Sequence, residues 1–252
     1  MDIKLVSWTN YPKEVIAWAF ANMHNPIPNN LEDFVKQQIN KVGKKKWENI
    51  KSELLKNLSF NPHSSVLEFV NTVWYLGGVS RAFQQQLTRT REAAYCIQSL
   101  RIVNVGTFYD NFDFSVGPTV SESSTAYIRY SAMMQQIQDM YLELLDLGVK
   151  TEDARGILPL NIHSPITMSI NLRRLQHLLD VRLCYLAQGE YHEVAEVMVE
   201  EIKTKMGEDF GVPFDKLCVK LNYCPMPVNC GKMPYELDER YNTEVLNYWL
   251  KG

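Results

Sequence analysis

The chain predicts an α+β fold, a mixed β-sheet flanked by long α-helices. Three observations carry this. Val66 to Leu76 is rich in β-branched and aromatic side chains and apolar on both alternating faces, the mark of a strand central in a sheet. Thr125 to Leu147 carries Ile128, Met133, Met134, Ile137, Met140, Tyr141, Leu144 and Leu145 at helical spacing, with Gly148 as a stop. Hydrophobic residues make up 46% and charged residues 22% of 252, enough apolar material for a full core in one large domain.

The elements follow in order. Lys4 to Thr9 reads as a first strand. Pro12 suits a first helical position, and Val15, Ile16, Ala19 and Phe20 continue an apolar face. Residues 25–30, NPIPNN, form a loop. Leu31 to Leu58 is helical and basic, with Lys44, Lys45 and Lys46 as a solvated patch. After the Val66 to Leu76 strand, Gly77 and Gly78 lead to Ser80, which caps a helix through Ala82, Phe83 and Leu87. Arg101 to Phe114 is irregular, and Val116 to Ser124 is a loop. Thr151 caps a short helix through Arg155, closed by Pro159. Thr167 to Ile170 is a strand, and Asn171 caps the next helix. A last long helix opens at Gly189 or Glu190 and ends near Gly207. The met-rich face of the Thr125 to Leu147 helix is read as core filler.

The net charge of −3 excludes a general nucleic-acid binder, which carries a strong basic excess. No apolar stretch has the length of a membrane span, and the N-terminus lacks the basic start and apolar run of a signal peptide. Five cysteines, an odd number without an export signal, point to reduced thiols and a cytoplasmic protein. Cys218, Cys224 and Cys230 have five residues between neighbours, wider than zinc pairs, and read as ordinary buried thiols, with no metal.

Residues 80–101, SRAFQQQLTRTREAAYCIQSLR, hold Arg81, Arg89, Arg91 and Arg101, with Glu92 the one acidic residue among them. Guanidinium groups stay charged and match phosphate oxygens in a bidentate fork. Arginines on a helix are commonly a solvated face. Here Gln86 and Arg89 lie three apart on one helical face, and Ser99 with the backbone of Leu100 and Arg101 follows in a less regular stretch. Together they read as an anion site for a phosphorylated ligand.

This segment resembles the flavin-dependent thymidylate synthases (ThyX), whose signature is R-H-R-x(2)-S-x-N-E-x-S-x-R preceded by a glutamine. It stands here as Arg89 to Arg101 with Gln86 in front. The three arginines and the last serine match, while Thr90, Ala94, Cys96 and Ile97 replace histidine, serine, asparagine and glutamate. Further blocks fall in the family's order over about residues 1–205: Lys4 to Thr9 with Pro12 to Glu14, His63 to Glu68, Ala154 to Asn161, Asn171, and Leu179 to Arg182 followed by Ala187 and Gln188.

The resemblance implies reductive methylation of dUMP to dTMP with FAD as cofactor and NADPH and methylenetetrahydrofolate as co-substrates. It implies a pyrimidine deoxynucleotide monophosphate as substrate and a homotetramer with shared active sites, without nucleic-acid or membrane partners. Residues 1–207 would form the catalytic domain and 208–252 an extension. Arg182 falls inside the stripe of Leu172, Leu175, Leu179, Leu183 and Leu186, where a charge needs a partner. An internal salt bridge would satisfy that need. The resemblance makes Arg182 the catalytic arginine that grips the pyrimidine and stabilises negative charge at N3/O2.

By the same resemblance Gln86, Arg89, Ser99, Leu100, Arg101, Arg155 and Arg182 bind the nucleotide. Arg155 beside Asp153 would otherwise be a capping ion pair. His63, Arg89, Thr90, Arg91, Asn171 and His177 map to flavin-contacting positions. His177 replaces an asparagine, and Leu186 stands where a histidine is frequent. These departures leave open two alternatives: hydroxymethylation or action on dCMP, and a nucleotide-binding relative without catalysis.

Overall fold

The computed structural model describes residues 1–58, 64–226 and 228–233. The chain divides into two compact units, one of residues 1–9 and 71–171, the other of residues 10–70 and 172–252.

The first unit is built on a four-stranded sheet in the order β1-β2-β4-β3, with β1 Asp2–Trp8, β2 Asn71–Gly77, β3 Ala93–Ile97 and β4 Ile166–Asn171. The α+β class holds. All three pairings are antiparallel, where a mixed sheet was expected. β2 is central as predicted, and Thr72, Trp74 and Leu76 alternate fully buried against Ile166, Met168 and Ile170 of β4. Thr72 is the polar member of that row. Its hydroxyl donates to the Ile170 carbonyl at 2.8 Å and accepts from Trp74 Nε1 at 2.9 Å, so neither buried polar group is orphaned.

The strand begins five residues later than Val66. Residues Ser64–Phe69 form a 3-10 turn in which Val66 and Leu67 are buried in succession and Glu68 and Phe69 are exposed. An apolar run alone does not distinguish that helical burial from alternation.

Helix α4, Arg81–Leu87, starts at the predicted cap, where Ser80 Oγ accepts from Phe83 N at 3.0 Å. The loop before α5, Pro118–Ser121, is irregular as expected, although residues 118–121 themselves form that one helical turn. Helix α6, Ser124–Asp146, matches its predicted span and is capped by Ser123. Its packing differs from the expectation. Met134, Gln138 and Tyr141 are buried, but Ile128, Met133 and Met140 are 67%, 55% and 48% exposed, so most of the met-rich face is not core filler within one chain. Met134 joins Leu100, Phe108, Phe114 and Ile162 in a buried cluster. Gln138 fixes the irregular 101–114 segment against the helix, accepting from Tyr109 N at 2.8 Å and donating to Asp110 at 2.9 Å. Helix α7 is Thr151–Ala154, continued by a 3-10 turn Arg155–Ile157. Its cap position is Lys150, one residue before the predicted Thr151.

The second unit is helical. Helix α1, Pro12–Asn22, begins on its proline. The expected Leu31 to Leu58 helix is two, α2 Leu31–Val42 and α3 Lys44–Asn57, because Gly43 between them takes φ +82°, which breaks the hydrogen-bond ladder. Phe34 and Trp47 then meet edge to face at 5.8 Å with Ala17 in a buried cluster. Lys51, 3% exposed, is balanced by Glu14 and by Glu48 at 3.0 Å.

Helix α8, Leu172–Arg182, follows directly on Asn171, the last residue of β4, and buries Leu172, Leu175, Leu178 and Leu179. Helix α9, Gly189–Met206, has the predicted span and is followed by Gly207 at φ +116°. A 3-10 segment, Glu208–Phe214, buries Phe210 and Phe214, and helix α10, Leu217–Leu221, comes next. No described helix is long and apolar enough to cross a membrane.

Candidate active site

Strand β3 organises the predicted anion site. The turn after it, residues 99–103, closes on the Ser99 carbonyl, which accepts from Ile102 N at 3.2 Å and Val103 N at 3.0 Å. Leu100 sends its side chain into the Phe108, Phe114 and Met134 cluster and is 3% exposed. It therefore anchors the turn, and only its main chain is left for a ligand. Ser99 and Arg101 on either side are exposed, with Arg101 N donating to Ser99 Oγ at 3.3 Å.

Arg101 faces α7. Its Nη2 and Nε both donate to Glu152 Oε2, at 2.7 Å and 3.3 Å, and Arg155 Nε donates to the Glu152 carbonyl at 3.1 Å. Ser99, Arg101, Ile102, Lys150, Thr151 and Glu152 line a cleft of about 600 Å³. Arg101 and Arg155, predicted to bind the nucleotide and 54 residues apart, are thus joined through Glu152, and Ser99 lines the same cleft beside Arg101. The sequence reading passed over Glu152 and Lys150. Their closeness in sequence to Arg155 was the available signal.

The residues before β3 are arranged differently from expectation. Helix α4 ends at Leu87, so Gln86 lies in its last turn while Arg89 stands beyond it, linked by Arg89 N donating to the Gln86 carbonyl at 3.3 Å. Thr88 Oγ1 bonds the Gln84 carbonyl at 2.9 Å, and Glu92 takes φ 63°, reversing the chain into β3. Tyr95, on β3, holds this reversal by its hydroxyl, which serves the Leu87 carbonyl at 3.0 Å and the Thr90 carbonyl at 2.9 Å. Gln86 and Thr90 are half-buried and Arg89 and Arg91 exposed.

The register sets these groups apart. Ala93 pairs with Ile170 and Ile97 with Ile166, so Arg89, Thr90, Arg91 and Asn171 flank one end of the β3–β4 pair and Ser99 and Arg101 the other. Five strand residues at about 3.3 Å each separate the two ends by roughly 16 Å.

In the helical unit, Arg182 ends α8. It is half-buried, and its guanidinium lies 4.3 Å from the centre of the Tyr191 ring, a cation–π contact. Its carbonyl accepts from His192 Nδ1 at 3.2 Å. The predicted leucine stripe stops at Leu183. Leu186 is 53% exposed, with Val181 and Tyr185 also exposed. His177 is exposed on the opposite face of α8 from the buried leucines, and Arg173 is half-buried and pairs with Glu68 at 3.3 Å. Nothing in the sequence singled out Tyr191 as the ring under Arg182. His63 lies outside the described residues.

Cys218, Cys224 and Cys230 line one small cavity together with Cys184, and burial pushes the Cys218 thiol up. Cys224 is buried, whereas the other three are half-buried. Among the described residues no group of three or more histidine, cysteine or acidic side chains is placed to hold a metal ion.

A family model described as "Thymidylate synthase complementing protein" matches residues 4–207. The flavin-dependent thymidylate synthase of Pyrococcus abyssi is 31% identical over 241 residues, covering 93% of this chain and 95% of its own. That of Thermococcus onnurineus is 30% identical over 243 residues, covering 94% and 95%. Among solved structures, thymidylate synthase X from Helicobacter pylori with FAD and dUMP matches with a TM-score of 0.61 at 20% identity, covering 85% of this chain and all of its own. At that identity the likeness is one of fold.

Proposed function

Because this chain belongs to the flavin-dependent thymidylate synthases, we propose that it methylates dUMP reductively to dTMP, with methylenetetrahydrofolate giving the carbon and NADPH the hydride. The observation that carries this reading is the cleft lined by Ser99 and Arg101, with Arg155 bonded to the main chain of its wall residue Glu152. A hydroxyl and two guanidinium groups there suit a phosphate monoester, which needs charge-assisted donors from several directions. Gln86 and Arg89 are assigned to the same nucleotide by resemblance.

Arg182 is assigned to the pyrimidine. A fixed positive charge at N3/O2 stabilises the electron density that makes C5 nucleophilic, and it acts without reorganising as charge develops. The contact with Tyr191 supports that role, since an aromatic face helps to hold the guanidinium in place. FAD, when bound, supplies the hydride-transfer chemistry. The donor set at the Asn171 end of the sheet fits such an anionic cofactor: Arg89 and Arg91 are exposed cations, with Thr90 and Asn171 beside them as polar groups. His177 and His63 complete the assigned flavin residues.

One chain presents the proposed flavin and phosphate groups at opposite ends of β3. We infer that a second copy completes each site, in a homotetramer. The exposed Tyr127, Ile128, Met133, Met140 and Leu147 of and just beyond α6 support an interface between copies. Residues 1–207 are assigned to catalysis and 208–252 to an extension.

The test is the flavin spectrum of the purified protein and the release of C5 tritium from labelled dUMP with folate and NADPH present. Release from dCMP in place of dUMP would refute the thymidylate reading. Shared sites are tested by mixing Arg91→Ala and Arg101→Ala proteins at a dUMP concentration where each alone is impaired: activity rises above the sum of the two if one site draws on two copies and does not rise if each site lies within one copy.

A further inference from the structure

Glu152 ties the cleft together in a way the assigned reaction does not use. Its carboxylate oxygen takes both Nη2 and Nε of Arg101, the side-on edge of the guanidinium and one of those that can grip two oxygens of a phosphate in parallel. The pair is open to solvent, with the Arg101 side chain 62% and the Glu152 side chain 39% exposed, so it is weakly held. Arg155 is bound to the Glu152 carbonyl, not to its carboxylate, and keeps its other guanidinium nitrogens clear of that contact. Lys150 and Thr151 complete the polar wall.

We propose that Glu152 is an internal competitor for the substrate's phosphate: its carboxylate occupies the Nε/Nη2 edge of Arg101 in the free protein and releases it when a nucleoside monophosphate enters. The inference rests on the cleft being the phosphate site. A carboxylate and a phosphate dianion cannot both accept from that edge, and left side by side they repel. Removing the charge of Glu152 therefore favours the phosphorylated ligand and leaves the bare nucleoside indifferent. Glu152 is on this account a tuning residue acting through Arg101, keeping affinity for the monophosphate below what the arginines would otherwise give.

The experiment is calorimetric titration of the FAD-loaded full chain with dUMP and with deoxyuridine, in wild type, Glu152→Gln, Arg101→Gln and the double variant. Glu152→Gln should tighten dUMP roughly two- to fivefold, the worth of an exposed ion pair, and leave deoxyuridine unchanged. In the Arg101→Gln background the same substitution should lose most of its effect, keeping only the small screened repulsion, a coupling that a merely structural role of Glu152 would not produce. Glu152→Ala serves as the second variant, with the same direction expected. Weaker or unchanged dUMP binding in Glu152→Gln, or a gain that survives in full in Arg101→Gln, overturns the competitor role while leaving the phosphate cleft standing. Indifference of dUMP binding to Arg101→Gln itself overturns the phosphate cleft, and the inference with it.

Discussion

Replacing Arg101 by glutamine should raise the KM for dUMP with little effect on folding. In the complex the guanidinium is placed to make charge-assisted hydrogen bonds to the phosphate, worth about 1.5–3 kcal/mol to a charged partner. In the free protein the same edge is engaged by Glu152 at 2.7 Å and 3.3 Å. That exposed pair is worth about 0.2–1 kcal/mol and is lost on binding, so it is subtracted. The net loss is about 0.5–2.8 kcal/mol, or roughly 2- to 100-fold in KM at about 1.4 kcal/mol per tenfold. Stability changes only by the exposed pair, so Tm should fall by less than about 4 °C for a chain of this size. Steady-state tritium release at varied dUMP, alongside thermal unfolding, separates the two. A KM within twofold of wild type at normal Tm would refute the assignment of Arg101 to the phosphate.

Arg182→Ala should lower kcat by about 10²–10³, the usual cost of removing one donor aimed at developing charge. An unchanged kcat would put that arginine in a structural role over Tyr191. Phe34→Ala should cost about 3–5 kcal/mol in urea unfolding, since the ring is 1% exposed and stacks edge-on to Trp47. At Asp209, burial alone would push the carboxyl up, but hydrogen bonds from Lys13 and Ser52 outweigh it and hold the group below the ordinary carboxylate range. Its folded pKa is depressed, so its contribution is present above the unfolded carboxylate pKa and is lost as pH falls through the folded one. Asp209→Asn should accordingly be less stable than wild type at pH 7, with the gap closing on acidification. A gap that stays constant with pH would contradict the ion-pair account.

The parts of this fold that were legible in the sequence are those set by neighbouring residues. Ser80 before Phe83, Pro12 at the head of α1 and Gly207 after α9 each act within one turn, and their elements fall where those residues place them. Two elements were misjudged for the same reason in reverse. Val66 and Leu67 are apolar in succession, which strand and 3-10 turn share. Ala93 to Ile97 has no alternation of polarity to announce an edge strand, because its even members, Ala94 and Cys96, are small side chains exposed to solvent. The stripe on α6 was recognised, but its destination was not, since periodicity reports an apolar face and not what covers it.

By itself the sequence determined which side chains are candidates for the chemistry: the arginines at 89, 91, 101, 155 and 182 and the serine at 99 are a matter of residue type and order, and order is enough to place the chain in its family. Tertiary structure alone decided that Glu152 lies on the Nε/Nη2 edge of Arg101, 51 residues away, that Tyr191 lies under Arg182, and that β3 holds its two charged ends apart. The physical reason is that these relations depend on strand register and on which helix ends meet a loop. Such contacts join residues far apart along the chain, and no local propensity encodes them.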